Sequence, residues 1–226
     1  METIKQKAEK TYPENLKGDS FNDGCLGGCN VEGDPATHYP IMWKFLCDEL
    51  KIKSVVDIGC GFGYSLDFFK KHLKLHGVGV EGSPKVQELA LNRDAIKVHD
   101  YSKGPLTFPK NYDLAWSSEF VEHVSPQYVE NFISTFKCCK YIAITYASVG
   151  QTGHHHVNEN TENYWINLMM THGLIFDRDL TVQLRSKTEE DFSRPTSPVD
   201  QSKVIGWTYP YHFSQKGLFF RNDLLL

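Results

Sequence analysis

Val55-Val-Asp57-Ile-Gly59-Cys60-Gly61-Phe-Gly63 decides the fold. A short apolar run, Lys53 to Gly59, ends in three glycines at alternating positions, which reads as a buried strand running into a sharp turn. Residues without side chains let the backbone bend tightly and approach a ligand closely. In open α/β sheets that place is the crevice beyond the carboxyl end of the strand.

Working outward, strands and helices alternate. Tyr64 to Leu73 carries Leu66, Phe69 and Leu73 on one helical face. Strands are expected at Gly77–Gly82, Ala95–Asp100, Tyr112–Ser117 and Tyr141–Tyr146, with helices at Pro84–Leu91 and Gln127–Phe136. Upstream, Thr37 to Lys51 has apolar residues at helical spacing, with Pro40 suited to a first turn. Downstream, Thr161–His172 reads as a helix, Leu174–Asp177 and Leu218–Arg221 as strands, and the polar, proline-bearing Lys187–Ser202 as a loop. The expected fold is a doubly wound, Rossmann-like α/β domain over residues 37–226. Its seven-stranded sheet is mostly parallel with an antiparallel last strand and has helices on both faces. Residues 1–36, polar and rich in glycine, read as an N-terminal arm.

Composition narrows the functional classes. The chain has 226 residues, of which 40% are hydrophobic and 23% charged, an ordinary balance for a globular protein. With neither a long apolar run nor a signal-peptide core, a cytoplasmic location is expected and no membrane partner. The net charge of −4, without a lysine/arginine cluster, disfavours a nucleic-acid partner. Cys25 and Cys29 have three residues between them, but no second pair stands at a zinc-finger spacing. Nothing in the sequence specifies an oligomeric state.

Each strand of the first half ends in polar groups along one rim. Glu81 stands eighteen residues after Gly63, followed by Gly82. A carboxylate there can accept from both hydroxyls of a ribose. Asp100-Tyr101 follows the third strand, and Ser118-Glu119-Phe-Val-Glu122-His123 the fourth. A dinucleotide site would want Gly-x-Gly-x-x-Gly, yet Tyr64 occupies the third glycine's place.

The segment from Asp57 to Gly63 resembles motif I of class I S-adenosylmethionine-dependent methyltransferases. Glu81, Asp100 and the segment after the fourth strand fall where that family has its acidic positions. The resemblance spans about residues 40–176 and implies S-adenosyl-L-methionine as cofactor and S-adenosyl-L-homocysteine as product. It implies a cofactor site of Asp57, Gly59, Cys60, Gly61, Gly63, Glu81, Gly82, Asp100, Tyr101 and Glu119. The glycines and Glu119 would face the methionine part, Glu81 the ribose, and Asp100 and Tyr101 the adenine.

The fifth strand leads into Gly150-Gln-Thr-Gly-His154-His155-His156-Val-Asn158 beyond the same edge. Transfer to a hydroxyl benefits from a base, and histidine titrates near neutrality. His155 or His156 is therefore the expected base, with His123 a second candidate and Asn158 and Gln151 orienting groups. The same histidines could instead cap a helix, or hold a divalent metal with Asp100 or Glu122; metal is the less favoured reading, and no residue is assigned as a ligand. This run, followed by Tyr164-Trp165 and preceded by Gly33-Asp34-Pro35, is similar to small methyltransferases of phage, large-virus and bacterial glycan-modification gene sets. That implies O-methylation of a sugar or glycan hydroxyl. Methylation of another small molecule or a protein is the alternative, and a non-catalytic binding module is the reading of another class. Residues 178–216, with Arg185, Arg194, Trp207, Tyr209 and Tyr211, are a candidate substrate-covering segment.

Overall fold

A computed structural model describes residues 35–151, 153, 155–193 and 211–226. Residues 1–34 of the N-terminal arm, with the Cys25–Cys29 pair, and His154, Arg194, Trp207 and Tyr209 lie outside the described residues. The elements, in order, are α1 (Pro40–Leu50), β1 (Ser54–Ile58), α2 (Tyr64–Lys71), β2 (His76–Glu81), α3 (Val86–Leu89), β3 (Ile96–Val98), β4 (Tyr112–Ser117), α4 (Val129–Phe136), β5 (Cys139–Ile144), α5 (Glu162–Thr171), β6 (Ile175–Phe176), α6 (Arg178–Ser193), α7 (Tyr211–Lys216) and β7 (Leu218–Arg221).

The seven strands form one sheet in the order β3-β2-β1-β4-β5-β7-β6. β1 to β5 pair in parallel, and β7 runs antiparallel to both β5 and β6. This is the expected doubly wound, Rossmann-like sheet with its antiparallel last strand. The strand order reverses between β1 and β4, so the crevice opens beside the turn after β1.

Alternate residues of the strands feed two cores. Val56, Ala115, Ile142 and Phe220 pack with Phe132 and Phe136 of α4 and Trp165 and Met169 of α5. Val55, Leu114, Trp116, Ala143 and Phe219 pack with Met42, Trp43 and Leu46 of α1, Phe69 of α2, Leu184 of α6 and Phe213 of α7. Central strands buried on both faces read as continuous apolar runs, which is why they stood out in the sequence. Among the described residues, no helix is long and apolar enough to cross a membrane.

One expectation is corrected. The sequence from Lys187 was read as loop, but residues 187–193 continue α6. The polarity misled because this helix is anchored by an acid. Asp191 accepts from the Ile41 and Met42 amides at 2.8 and 3.2 Å, and so caps α1 from 150 residues away. Arg185 likewise binds structural partners, the Gly217 carbonyl and Glu162.

Candidate functional site

A cleft of about 380 Å³ opens at the carboxyl edge of the sheet, within the range of small-molecule sites. The turn after β1 forms part of its wall. Gly59 and Gly61 line it in the left-handed region, with φ of 71° and 50°. A Cβ on Gly59 would stand 2.5 Å from the Phe120 ring, so the bare backbone admits Phe120 beside it. Gly63 serves differently. It starts α2 at φ 80° and lies where a Cβ would meet the Leu91 carbonyl at 2.7 Å.

The end of β2 grips this turn. Glu81 accepts from the Gly61 amide at 2.9 Å and from the Ser83 amide at 3.1 Å. The carboxylate is thereby oriented on the cleft wall while 9% exposed. Gly82, Asp100, Tyr101 and Glu119 also line the cleft. Asp100 accepts from the Ser102 amide and pairs with Lys103. Partial burial acts to raise its pKa, but these partners outweigh burial and hold it below the usual range. The Tyr101 hydroxyl hydrogen-bonds with Thr135, and burial pushes its pKa up.

Three members of the expected cofactor set, Asp57, Cys60 and Gly63, do not line the cleft. Asp57 is 2% exposed and does not line the cleft. Burial foremost, then the Glu81 charge, raises its pKa from 3.8 to about 8. The Cys60 thiol packs onto Gly79 of β2 rather than lining the cleft. The motif's acid and cysteine thus support the turn, Asp57 buried on β1 and the half-buried Cys60 turned from the bend onto Gly79.

The β4 and β5 connections form the other wall. Glu119 adopts φ 52°, and its Oε1 is met by the Thr145 hydroxyl at 2.9 Å and His212 at 3.2 Å. His212 is placed by its neighbour Phe213, which stacks on Trp116 at 5.5 Å. His123 and His155 line the cleft, and the His155 carbonyl lies 3.2 Å from His123 Nδ1. His156 lies behind them, its Nδ1 2.8 Å from the Gln151 carbonyl.

Asn158 has a structural place. It is 2% exposed, donates to the Val124 carbonyl at 3.1 Å and accepts from Asn160, and does not line the cleft. With the Val157 and Asn158 amides on the Glu122 carbonyl, it stitches the β5 loop to the turn after β4. Glu122 is fully buried there. Burial, then the charge of Glu119, holds its carboxyl well above the usual range. Asp100 lies apart from the cluster that Glu122, His123 and His156 form.

Sequence reasoning did not single out His99, Phe120, Ser125, Gln127 and Tyr128, which also line the cleft, nor Thr145 and His212 behind it. The wall residues flank the quoted motifs and were open to inference. Thr145 and His212 meet Glu119 only through long-range packing, which leaves no local signal.

Comparison with known proteins agrees with this geometry. A family described as a methyltransferase domain matches residues 41–186. No curated protein matches the chain in sequence. Among solved structures, the plantazolicin methyltransferase BpumL, in complex with a triazolic desmethylPZN analog and SAH, superposes with a TM-score of 0.56 at 14% identity, covering 96% of this chain and 94% of that one. The methyltransferase domain of bacterial CtHen1-C gives 0.50 at 18% identity, over 64% and 88%. Phosphoethanolamine N-methyltransferase 2 of Haemonchus contortus gives 0.50 at 14%, over 92% and 58%. At these identities the likeness is one of fold, and the family match supplies the rest: the chain belongs to the methyltransferase-domain family, as a class I S-adenosylmethionine-dependent methyltransferase.

Proposed function

We propose that this protein methylates a hydroxyl group of a sugar or glycan, with a histidine of the cleft accepting the proton. The observation that carries the reading is that one cleft joins two chemistries. The walls from β1, β2 and β3 present bare glycine backbone, Glu81 and Asp100. The connections after β4 and β5 present His123 and His155 together with Ser125, Gln127 and Tyr128.

The first set fits S-adenosyl-L-methionine. Glu81 is fixed by two amides as an oriented acceptor, suited to a pair of ribose hydroxyls. Gly61 adds no side chain, and the rings of Tyr101 and Phe120 give an apolar surface. When bound, the cofactor supplies a methyl on a positively charged sulfur, open to in-line attack by an oxygen. The residues on the far wall fit a polyhydroxylated acceptor, since a serine, a glutamine and a tyrosine offer hydrogen bonds and one ring face. His155 lines the cleft from the β5 loop, where it can take the hydroxyl proton as oxygen attacks. His123 is the second group placed for that role, and His156 would support it from behind. The cleft's other duty is to align the acceptor and exclude water.

The test is methyl transfer from isotope-labelled S-adenosylmethionine to a panel of sugars, sugar nucleotides and glycans, with product identification by mass spectrometry. The reading expects a base-stable methyl ether on a sugar carbon. Label appearing only on protein, on nitrogen or on a non-sugar molecule would overturn it.

A further inference from the structure

Glu122 is 0% exposed, and among the described residues neither oxygen of its carboxyl group meets a hydrogen-bond partner. Leaving a carboxylate buried in this way is costly unless it is paired or bound to a cation. Two imidazoles stand beside it. One donor atom each from Glu122, His123 and His156 lie within 4.8 Å of one another, and the two rings are 5.1 Å apart.

The imidazoles are oriented alike. His123 Nδ1 faces the His155 carbonyl, and His156 Nδ1 faces the Gln151 carbonyl. A carbonyl can only accept, so each Nδ1 carries the proton and each lone pair lies on Nε2. Metal-binding histidines are held in this manner, by a backbone carbonyl on the far nitrogen. The His156 ring is also pressed against Gly153, where a Cβ would stand 2.3 Å from it. The stitching of Val157, Asn158 and His155 to the turn after β4 fixes all three side chains in advance.

We infer that Glu122, His123 and His156 form a binding site for one divalent cation on the acceptor wall of the cleft. His123 lines the cleft, so the ion would be reached from it. Two imidazoles and a carboxylate suit Mn²⁺, Co²⁺ or Zn²⁺ better than the all-oxygen preferences of Ca²⁺ or Mg²⁺. The ion's use rests on the proposed reading of an oxygen acceptor: it would hold the hydroxyl oxygen and ease loss of its proton. The site itself does not depend on that reading.

The probe is Mn²⁺ added to the full chain without cofactor or acceptor, followed by the loss of the free-ion electron paramagnetic resonance signal. One ion per chain is expected. His156→Ala and Glu122→Gln should each weaken binding at least about tenfold, while His172→Ala, just past the end of α5 and paired with Glu130, leaves it unchanged. Thermal unfolding keeps the test sound: Mn²⁺ should raise the wild-type melting temperature and leave that of both variants unmoved, with each variant showing a cooperative transition. Absence of wild-type binding, or binding that survives both substitutions, overturns the inference. Because neither cofactor nor acceptor is present, that failure leaves the methyl-transfer reading intact. Conversely, methylation of the wrong acceptor leaves the ion site intact.

Discussion

The Gly61 amide donates to Glu81 Oε2 at 2.9 Å, joining the turn after β1 to the tip of β2 across twenty residues. One carboxylate therefore shapes the bend and faces the cleft. The glycines and the acid, separate in sequence, act as one unit.

Gly59 gives the first prediction. Alanine there must adopt φ near 71° and crowd the Phe120 ring. The left-handed strain costs about 1–2 kcal/mol, and overpacking adds about 1–3 kcal/mol. Urea unfolding should show Gly59→Ala destabilised by about 2–5 kcal/mol. In a Phe120→Gly background, which removes the Phe120 Cβ as well as the ring, only the strain remains, so the same substitution should cost about half as much. Equal costs in the two backgrounds would contradict the contact.

Asp57 sets a pH dependence. Its pKa rises from 3.8 to about 8 on folding, through burial first and the Glu81 charge second. Below pH 3.8 both states hold the proton. Between the two values the folded state keeps it and the unfolded state loses it, so this group's contribution to stability falls as pH rises towards 8. Asp57→Asn removes that slope. Its stability relative to wild type should improve by a few kcal/mol between pH 5 and pH 8, read from urea unfolding at each pH. Parallel pH profiles would sink the assignment.

Asp191 holds α6 to α1 through the Ile41 and Met42 amides. Removing a cap costs about 1 kcal/mol, and leaving buried amides unmet adds about 1–3 kcal/mol. Asp191→Ala should lose roughly 2–4 kcal/mol by chemical unfolding, and a loss below about 0.5 kcal/mol would show that the cap is dispensable.

His155 should matter to turnover and not to cofactor affinity. If it takes the hydroxyl proton, His155→Ala lowers kcat by about 10²–10⁴. The dissociation constant for S-adenosylhomocysteine should stay within about twofold. Unchanged kcat would contradict that role.

The sequence exposed the first half of the fold well, because Val55, Val56 and the glycines after them allow few alternatives. Glu81, Gly82, Asp100 and Tyr101 were legible for the same reason: each ends a parallel strand, and such ends share one edge. Asp57 and Cys60 were placed in the wall by motif, whereas Asp57 is buried on β1 and the Cys60 thiol turns onto Gly79 of β2. The polar Arg178–Ser193 hid a helix because Asp191 and Arg185 are buried or paired by partners far along the chain. Glu122 was named only as one of two acids for the less favoured metal reading, and only tertiary packing shows it enclosed. Asn158 suggested catalysis by its place beside the histidines, yet its amide fastens the loop that carries them.

The central claim is that Glu81 and the turn it grips hold S-adenosylmethionine. Titration calorimetry with S-adenosylhomocysteine tests it most directly. Wild type should bind one molecule per chain, and Glu81→Gln should weaken binding by at least about tenfold, since the amide cannot accept as the carboxylate does. No binding to a folded wild-type chain, or equal affinity in the variant, would contradict it.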